Sequence, residues 1–164
     1  MTTPSQHLYT KKVLAHFKKP HNMGNIKNPD GVGRVGNAKC GDVMWLYIKV
    51  QKNKQGKDVI NDVKFETFGC VAAIATSSMV TDLVKGKTVD FALTVTKDNI
   101  IKGLGGLPPI KMHCSLLATD ALQEAIYNYL TTHKLSVPAS LKETHKKVTK
   151  ETEIAEQVSS HLKE

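Results

Sequence analysis

Arginine is almost missing from this 164-residue chain: of 23 basic side chains only Arg34 carries a guanidinium, and the other 22 are lysines. A planar guanidinium fork reads guanine bidentately and clamps phosphate, whereas lysine supplies a mobile point charge. Aromatic residues are also sparse, at 5%, so a platform for stacking single-stranded bases is poorly supplied. The formal net charge of +8 therefore reads as a solvated lysine surface suited to an acidic protein partner, and nucleic acid is not expected. No apolar run approaches the roughly 18 residues that span a bilayer. The first seven residues, Met1 to His7, are polar and contain no apolar signal segment. The expectation is a cytoplasmic protein with no membrane partner.

Cysteine is scarce and odd in number, with Cys40, Cys70 and Cys114 as the full set. An odd count argues against a closed disulfide framework, and no C-x-x-C pair is present to suggest a zinc finger or a thioredoxin-type motif. What remains is ordinary globular material, 40% apolar and 23% charged, enough for one domain and a short appendage. Residues 134 to 164 hold six basic and five acidic side chains. They are read as a charged helical extension, frayed or marginal, beyond a domain spanning 1 to 133.

Hydrophobic periodicity places the elements. Val13, Leu14 and Phe17 predict a short helix over 10–18, stopped by Pro20. The Gly-, Asn- and Pro-rich stretch 21–41 predicts loop or an irregular first strand. Residues 44–51 alternate as a strand, 52–57 form a hairpin loop, and 59–68 return as its partner. Trp45 is expected in the core. A helix rich in small residues follows over 72–85, ended by Gly86. Thr88 and Thr96 each have the form of an N-cap for a short helix. After Leu107-Pro108-Pro109 a long helix is predicted from 112 or 113 to 130, with Leu116, Leu117, Ala121, Leu122, Ala125, Ile126 and Tyr129 on its buried stripe. Ser140 to Glu143 has the form of a capping box opening a last helix. Strands come early and helices late, which predicts an α+β fold: a small antiparallel three-stranded sheet with helices packed on one face.

The cysteines fall at the ends of these elements. Cys40 lies in a glycine-flanked loop before the central strand, Cys70 follows Gly69 and opens a helix, and Cys114 follows His113 near the start of the long helix. Helix N-termini offer free N–H donors and a favourable dipole, so thiolates are plausible at the latter two. Asp42 beside Cys40 and His113 beside Cys114 add a carboxylate or an imidazole to three thiolates. That set suits zinc, Cu(I) or an iron–sulfur centre, and these alternatives stay open on the residues alone. A Cys/His nucleophile is not expected, because neighbours on a helix point about 100° apart.

Three stretches taken together, Cys40-Gly41-Asp42, Phe68-Gly69-Cys70 with its small-residue run 73–78, and Leu107-Pro108-Pro109-Ile110-Lys111-Met112-His113-Cys114-Ser115, strongly resemble the IscU/NifU-type iron–sulfur cluster assembly scaffolds. The resemblance extends from about Tyr9 to Tyr129. It implies a SufE/NifU-like domain that is a scaffold and not an enzyme. On it a labile [2Fe–2S] cluster is built from iron and desulfurase-derived sulfur, then passed to carrier or apo-protein acceptors. It further implies Cys40, Cys70 and Cys114 as ligands, Asp42 as fourth ligand or release element, and His113 as an alternative ligand. Cys114 would accept persulfide sulfur, with Lys111 assisting. Leu107 to Lys111 would be the peptide offered to a DnaK-type chaperone. A cysteine desulfurase, a ferredoxin and a frataxin-like protein are the implied partners, and a homodimer stays open. Zinc is the ion such a site takes up when isolated without a cluster, and a stable zinc protein is the alternative function. Two features depart from the family pattern: Val71-Ala72 follows Cys70 where smaller or more polar residues are common, and the tail lacks the C-x-x-C modules of multidomain NifU proteins.

Overall fold

The computed structural model describes residues 9–37 and 41–161. The chain runs α1 (Lys11–Lys18), β1 (Gly31–Gly36), β2 (Val43–Lys52), β3 (Asp58–Thr67), α2 (Val71–Val84), α3 (Val89–Ala92), α4 (Lys97–Gly103), a 3-10 turn (Pro109–Lys111), α5 (His113–Thr132) and α6 (Ala139–His161). The expected α+β class is borne out: the three strands pair antiparallel in the order β1-β2-β3. Thr88 and Thr96 open helices as their positions predict, and Thr10, expected inside its helix, proves to be a cap as well. Thr10, Thr88 and Thr96 each accept a backbone N–H two or three residues into the helix, supplying a partner that a helix start otherwise lacks.

Alternation in β2 turns Met44, Leu46 and Ile48 inward, each fully buried. Opposite them, Ile60, Val63 and Phe65 of β3 are buried too, although Ile60 and Val63 are an odd number of residues apart. The pairing explains this: Lys49 faces Asp62 while Val50 faces Ile60, so Asn61 is an extra residue that resets the register. Helices α2 and α5 cover this inner face, with Val80, Leu117, Leu122 and Ile126 completing the core. The small residues of α2 let it lie buried between sheet and helices, and its hydroxyls stay satisfied: Ser77 Oγ donates to Ala73 O at 2.6 Å and Thr76 Oγ1 to Ala72 O at 2.8 Å.

β1 is a regular six-residue strand, not the loop or irregular strand expected from its glycines. The reason lies in α5, whose backbone crosses it so closely that a Cβ at Gly33 would sit 2.1 Å from Ala121 O, and one at Gly31 would sit 2.3 Å from Ala125 O. Both sheet edges are occupied. Asn128 Oδ1 accepts from Val32 N–H and Thr152 Oγ1 from Gly36 N–H on the β1 side. On the other side Asn22, Gly24, Gly86 and Lys87 bond the β3 backbone at Ile60 and Phe65. Such cover removes an unpaired edge that would otherwise template association.

Three further expectations are corrected. Trp45 is not core but half-buried on the outer sheet face, with the Arg34 guanidinium 5.7 Å from its ring centre. Leu116 is 43% exposed, whereas the other predicted stripe residues of α5, Leu117, Ala121, Leu122, Ala125, Ile126 and Tyr129, are buried, and Ala118 joins them. The last helix starts at Ala139, which puts Ser140 inside its first turn and not at the N-cap. This helix, α6, packs on β1 and α5, burying Leu141 and Val148, and His145 stacks on Tyr127 with ring centroids 3.8 Å apart. A cavity of about 300 Å³ lies between the end of β1, α5 and α6, lined in part by His113, Asp120, Lys147 and Glu151.

Candidate metal centre

Three structural junctions converge at one end of the sheet. Between β1 and β2, Asn37 N–H donates to Asp42 O at 2.9 Å and Gly41 N–H to Asn37 O at 2.8 Å, which sets Asp42 just before β2. At the end of β3, Thr67 Oγ1 donates to Val43 O at 2.9 Å and accepts from Gly69 N–H at 3.2 Å. The chain then turns sharply, leaving Phe68 86% exposed and Cys70 as the N-cap of α2. Gly69 is required here for space: a Cβ would stand 2.5 Å from that of Ala73 and 3.1 Å from the carboxyl carbon of Asp42. From the third direction, buried Leu107 anchors the proline segment. The 3-10 turn then delivers Lys111, and α5 opens with His113 and Cys114. The Thr76 hydroxyl, besides its bond to Ala72, lies 3.2 Å from the Cys114 carbonyl and ties α5 to α2.

These junctions bring Asp42, Cys70 and Cys114 together, with one ligand atom of each inside 4.8 Å of the others. The sulfurs of Cys70 and Cys114 stand 3.8 Å apart. A disulfide needs about 2.05 Å, whereas two thiolates on one tetrahedral ion with bonds of about 2.3 Å sit about 3.8 Å apart. The spacing, an ordinary contact between two sulfurs, is also one at which both can share an ion without moving. Asp42 is 9% exposed, and its Oδ2 is buried with no hydrogen-bond partner among the described residues. A buried carboxylate oxygen without a donor is costly in the empty protein and is satisfied by a cation.

His113 and Lys111 flank the trio. His113 Nε2 is 3.6 Å from Cys114 Sγ, so the imidazole folds back on its neighbour. The expectation that adjacency on a helix keeps the two apart is corrected, because side-chain rotation overcomes the angle between the Cα–Cβ bonds. Lys111 is held above the ordinary lysine value, chiefly by the charge of Cys70, with smaller help from Tyr9, Cys114 and Asp42 against slight burial. Tyr9 belongs to the same neighbourhood and was not singled out from sequence; burial first and Cys70 second push its hydroxyl up, while Lys111 pulls it down. Of the segment Leu107 to Lys111, Leu107 is buried, Pro108 and Lys111 are partly covered, and Pro109 and Ile110 are exposed. Cys40 lies outside the described residues. Among the described residues no helix is long and apolar enough to cross a membrane.

Residues 8–136 match the sequence profile of the NifU-like N terminal domain. The chain is 56% identical over 122 residues to "Iron-sulfur cluster assembly scaffold protein IscU 1" of Archaeoglobus fulgidus, covering 74% of this chain and 76% of the relative. It is 50% identical, at the same coverage, to "Iron-sulfur cluster assembly scaffold protein IscU" of Aquifex aeolicus. The crystal structure of a nitrogen-fixing NifU-like protein (N-terminal) from Brucella abortus superposes with a TM-score of 0.57 over 76% of this chain and 95% of that one. At 22% identity that match speaks for the fold. A profile match over most of the chain, with relatives at half identity or better, places the protein: it belongs to the NifU-like N-terminal domain family.

Proposed function

We propose that the protein is a scaffold on which an iron–sulfur cluster is assembled and from which it is handed on, with no catalytic turnover of its own. The observation that carries this reading is the buried Asp42 Oδ2, without a partner among the described residues, beside two cysteine sulfurs 3.8 Å apart, a spacing that two ligands on one ion also have. In this reading Cys40, Cys70 and Cys114 ligate the cluster, Asp42 is the fourth and most easily exchanged ligand, and His113 is the ligand that can replace it. The cluster is of the [2Fe–2S] type, the smallest that four such groups hold. Cys114 takes up sulfur as persulfide from a cysteine desulfurase, and the Lys111 ammonium stabilises the attacking thiolate. Carrier and apo-protein acceptors receive the product. A DnaK-type chaperone that engages Leu107 to Lys111, a ferredoxin and a frataxin-like protein are the further partners, and the compartment is a reducing one, the cytoplasm. Residues 1 to 133 form the scaffold unit, and the extension from 134 onward braces it. The zinc alternative is not favoured, since the relatives are named for cluster assembly.

Anaerobic reconstitution with ferrous iron, cysteine and a desulfurase tests the proposal. The reduced protein should develop thiolate-to-iron absorption and retain about two irons per cluster. C70S, C114S and C40S should each lose the chromophore. Colourless protein without retained iron sinks the reading, and so does a spectrum unchanged in C70S and C114S.

A further inference from the structure

A second constellation of ligating side chains lies at the far end of α2. His16 is on α1, His21 follows the proline that ends α1, and Asp82 is on the last turns of α2; one ligand atom from each falls within 4.8 Å of the others. Twelve residues separate Asp82 from Cys70, about 18 Å along a helix rising 1.5 Å per residue. We propose that His16, His21 and Asp82 form a separate site for a single borderline transition-metal ion of the zinc class, completed by water.

The donor set selects the class. Two imidazoles and one carboxylate suit zinc and its first-row neighbours, whereas magnesium and calcium demand all-oxygen cages. Three protein ligands and one open position also match the count of exchangeable zinc sites. The existing contacts resemble the outer support that such ligands need. Ser78 Oγ lies 2.7 Å from His16 Nδ1 and accepts the His21 N–H at 2.8 Å. The hydroxyl rotor can thus serve either tautomer, leaving His16 Nε2 as the nitrogen for an ion.

The loop carrying His21 is held independently. Asn22 Nδ2 donates to Thr81 Oγ1 at 3.0 Å, and Gly24 N–H donates to Phe65 O at 2.7 Å. His21 Nδ1 and Asp82 Oδ2 now stand 2.7 Å apart. An ion with bonds of about 2.0–2.1 Å wants its ligand atoms roughly 3.3 Å apart, so the pair must open by a fraction of an ångström to admit it. Side chains that are 54% and 35% exposed can make that move. Binding would fasten α1 and its following loop to α2, a junction otherwise held by packing and single hydrogen bonds.

Cobalt separates the two centres, since cobalt on thiolates gives an intense near-ultraviolet charge-transfer band and cobalt on nitrogen and oxygen gives only weak visible bands. The full-length reduced chain, titrated with cobalt chloride and in parallel dialysed against zinc chloride, should bind one equivalent beyond any signalled by the thiolate band. H21A and D82A, both at exposed positions, should each weaken that equivalent at least about tenfold and leave the thiolate band unchanged. No binding beyond the thiolate-bound metal overturns the proposal. Survival of the extra equivalent in either variant also overturns it, because the ion then sits elsewhere.

Discussion

Replacing Asp42 by Ala should stabilise the empty protein while slowing loss of its cargo. The carboxylate is 9% exposed, and Oδ2 meets no donor among the described residues. A buried acceptor left unpaired costs about 1–3 kcal/mol. Removing the group abolishes that cost but leaves a small gap against Gly69 and Ala73, the residues packed on this side, and a gap of this size takes back about 1 kcal/mol. A net gain of about 1 kcal/mol raises the melting temperature of a chain this long by about 2–4 °C. The first assay is thermal unfolding of chelator-treated wild type and D42A, followed by circular dichroism under reducing conditions. The second is decay of the cluster absorbance after anaerobic reconstitution, which should be slower in D42A because the weakest ligand has gone. A lower melting temperature in empty D42A refutes the claim that the orphaned oxygen is a cost. Equal or faster cluster decay refutes the release role, and the two results are independent.

Three other perturbations probe the frame. G33A places a methyl group 2.1 Å from Ala121 O, so α5 must shift; overpacking of this kind costs about 1–3 kcal/mol or more, read as a lowered urea midpoint, and a midpoint within error of wild type refutes the close crossing. Burial, with Glu151 and Glu124 adding to it and Lys147 opposing, raises Asp120 to about 6 from 3.8. A carboxyl raised in the folded state binds its proton there first, so its penalty is absent below pH ~4 and complete above pH ~6, worth about 1–2 kcal/mol after allowance for its partial exposure. D120N should remove that loss of stability between pH 4 and 6, and an unchanged pH slope refutes the assignment. Deleting residues 139–164 strips away Leu141 and Val148, 3% and 1% exposed. Two such side chains are worth about 3–6 kcal/mol, and an unchanged denaturation midpoint would show that α6 does not brace the sheet.

How far the sequence could be read depends on whether the cause was local. The threonine caps, the β2–β3 hairpin and the period of α5 are short-range signals, and all three appear in the structure where the pattern puts them. Cys70 and Cys114 were legible as thiols at helix starts for the same reason. β1 was not, because Gly31 and Gly33 look like loop residues until the α5 backbone is known to press on them. Leu116 and Trp45 were misjudged because hydrophobicity alone does not say which side of a helix or sheet is covered. The surface on which α6 packs was not legible: the partners are β1 and α5, more than a hundred residues away in the case of Gly36 and Thr152. Tyr9 left no local signal, since it approaches Cys70 only through tertiary packing.

The same convergence explains how a site can be firm in its ligands and loose in its cargo. Asp42, Cys70 and Cys114 each stand where a different element begins, so their backbones are fixed by β2, α2 and α5 and not by one another. Little rearrangement is then needed to accept a cation or to lose it, and the empty state keeps its shape at the cost of one unsatisfied oxygen. The sequence neighbours of the two thiols are the opposite of rigid cover: Phe68 is 86% exposed, Ile110 76% and Met112 41%. Apolar side chains left in water beside a ligand set are paid for only if another surface covers them in turn. On the proposed reading, donor and acceptor proteins provide that surface successively, and the weakest ligand decides when the cluster leaves.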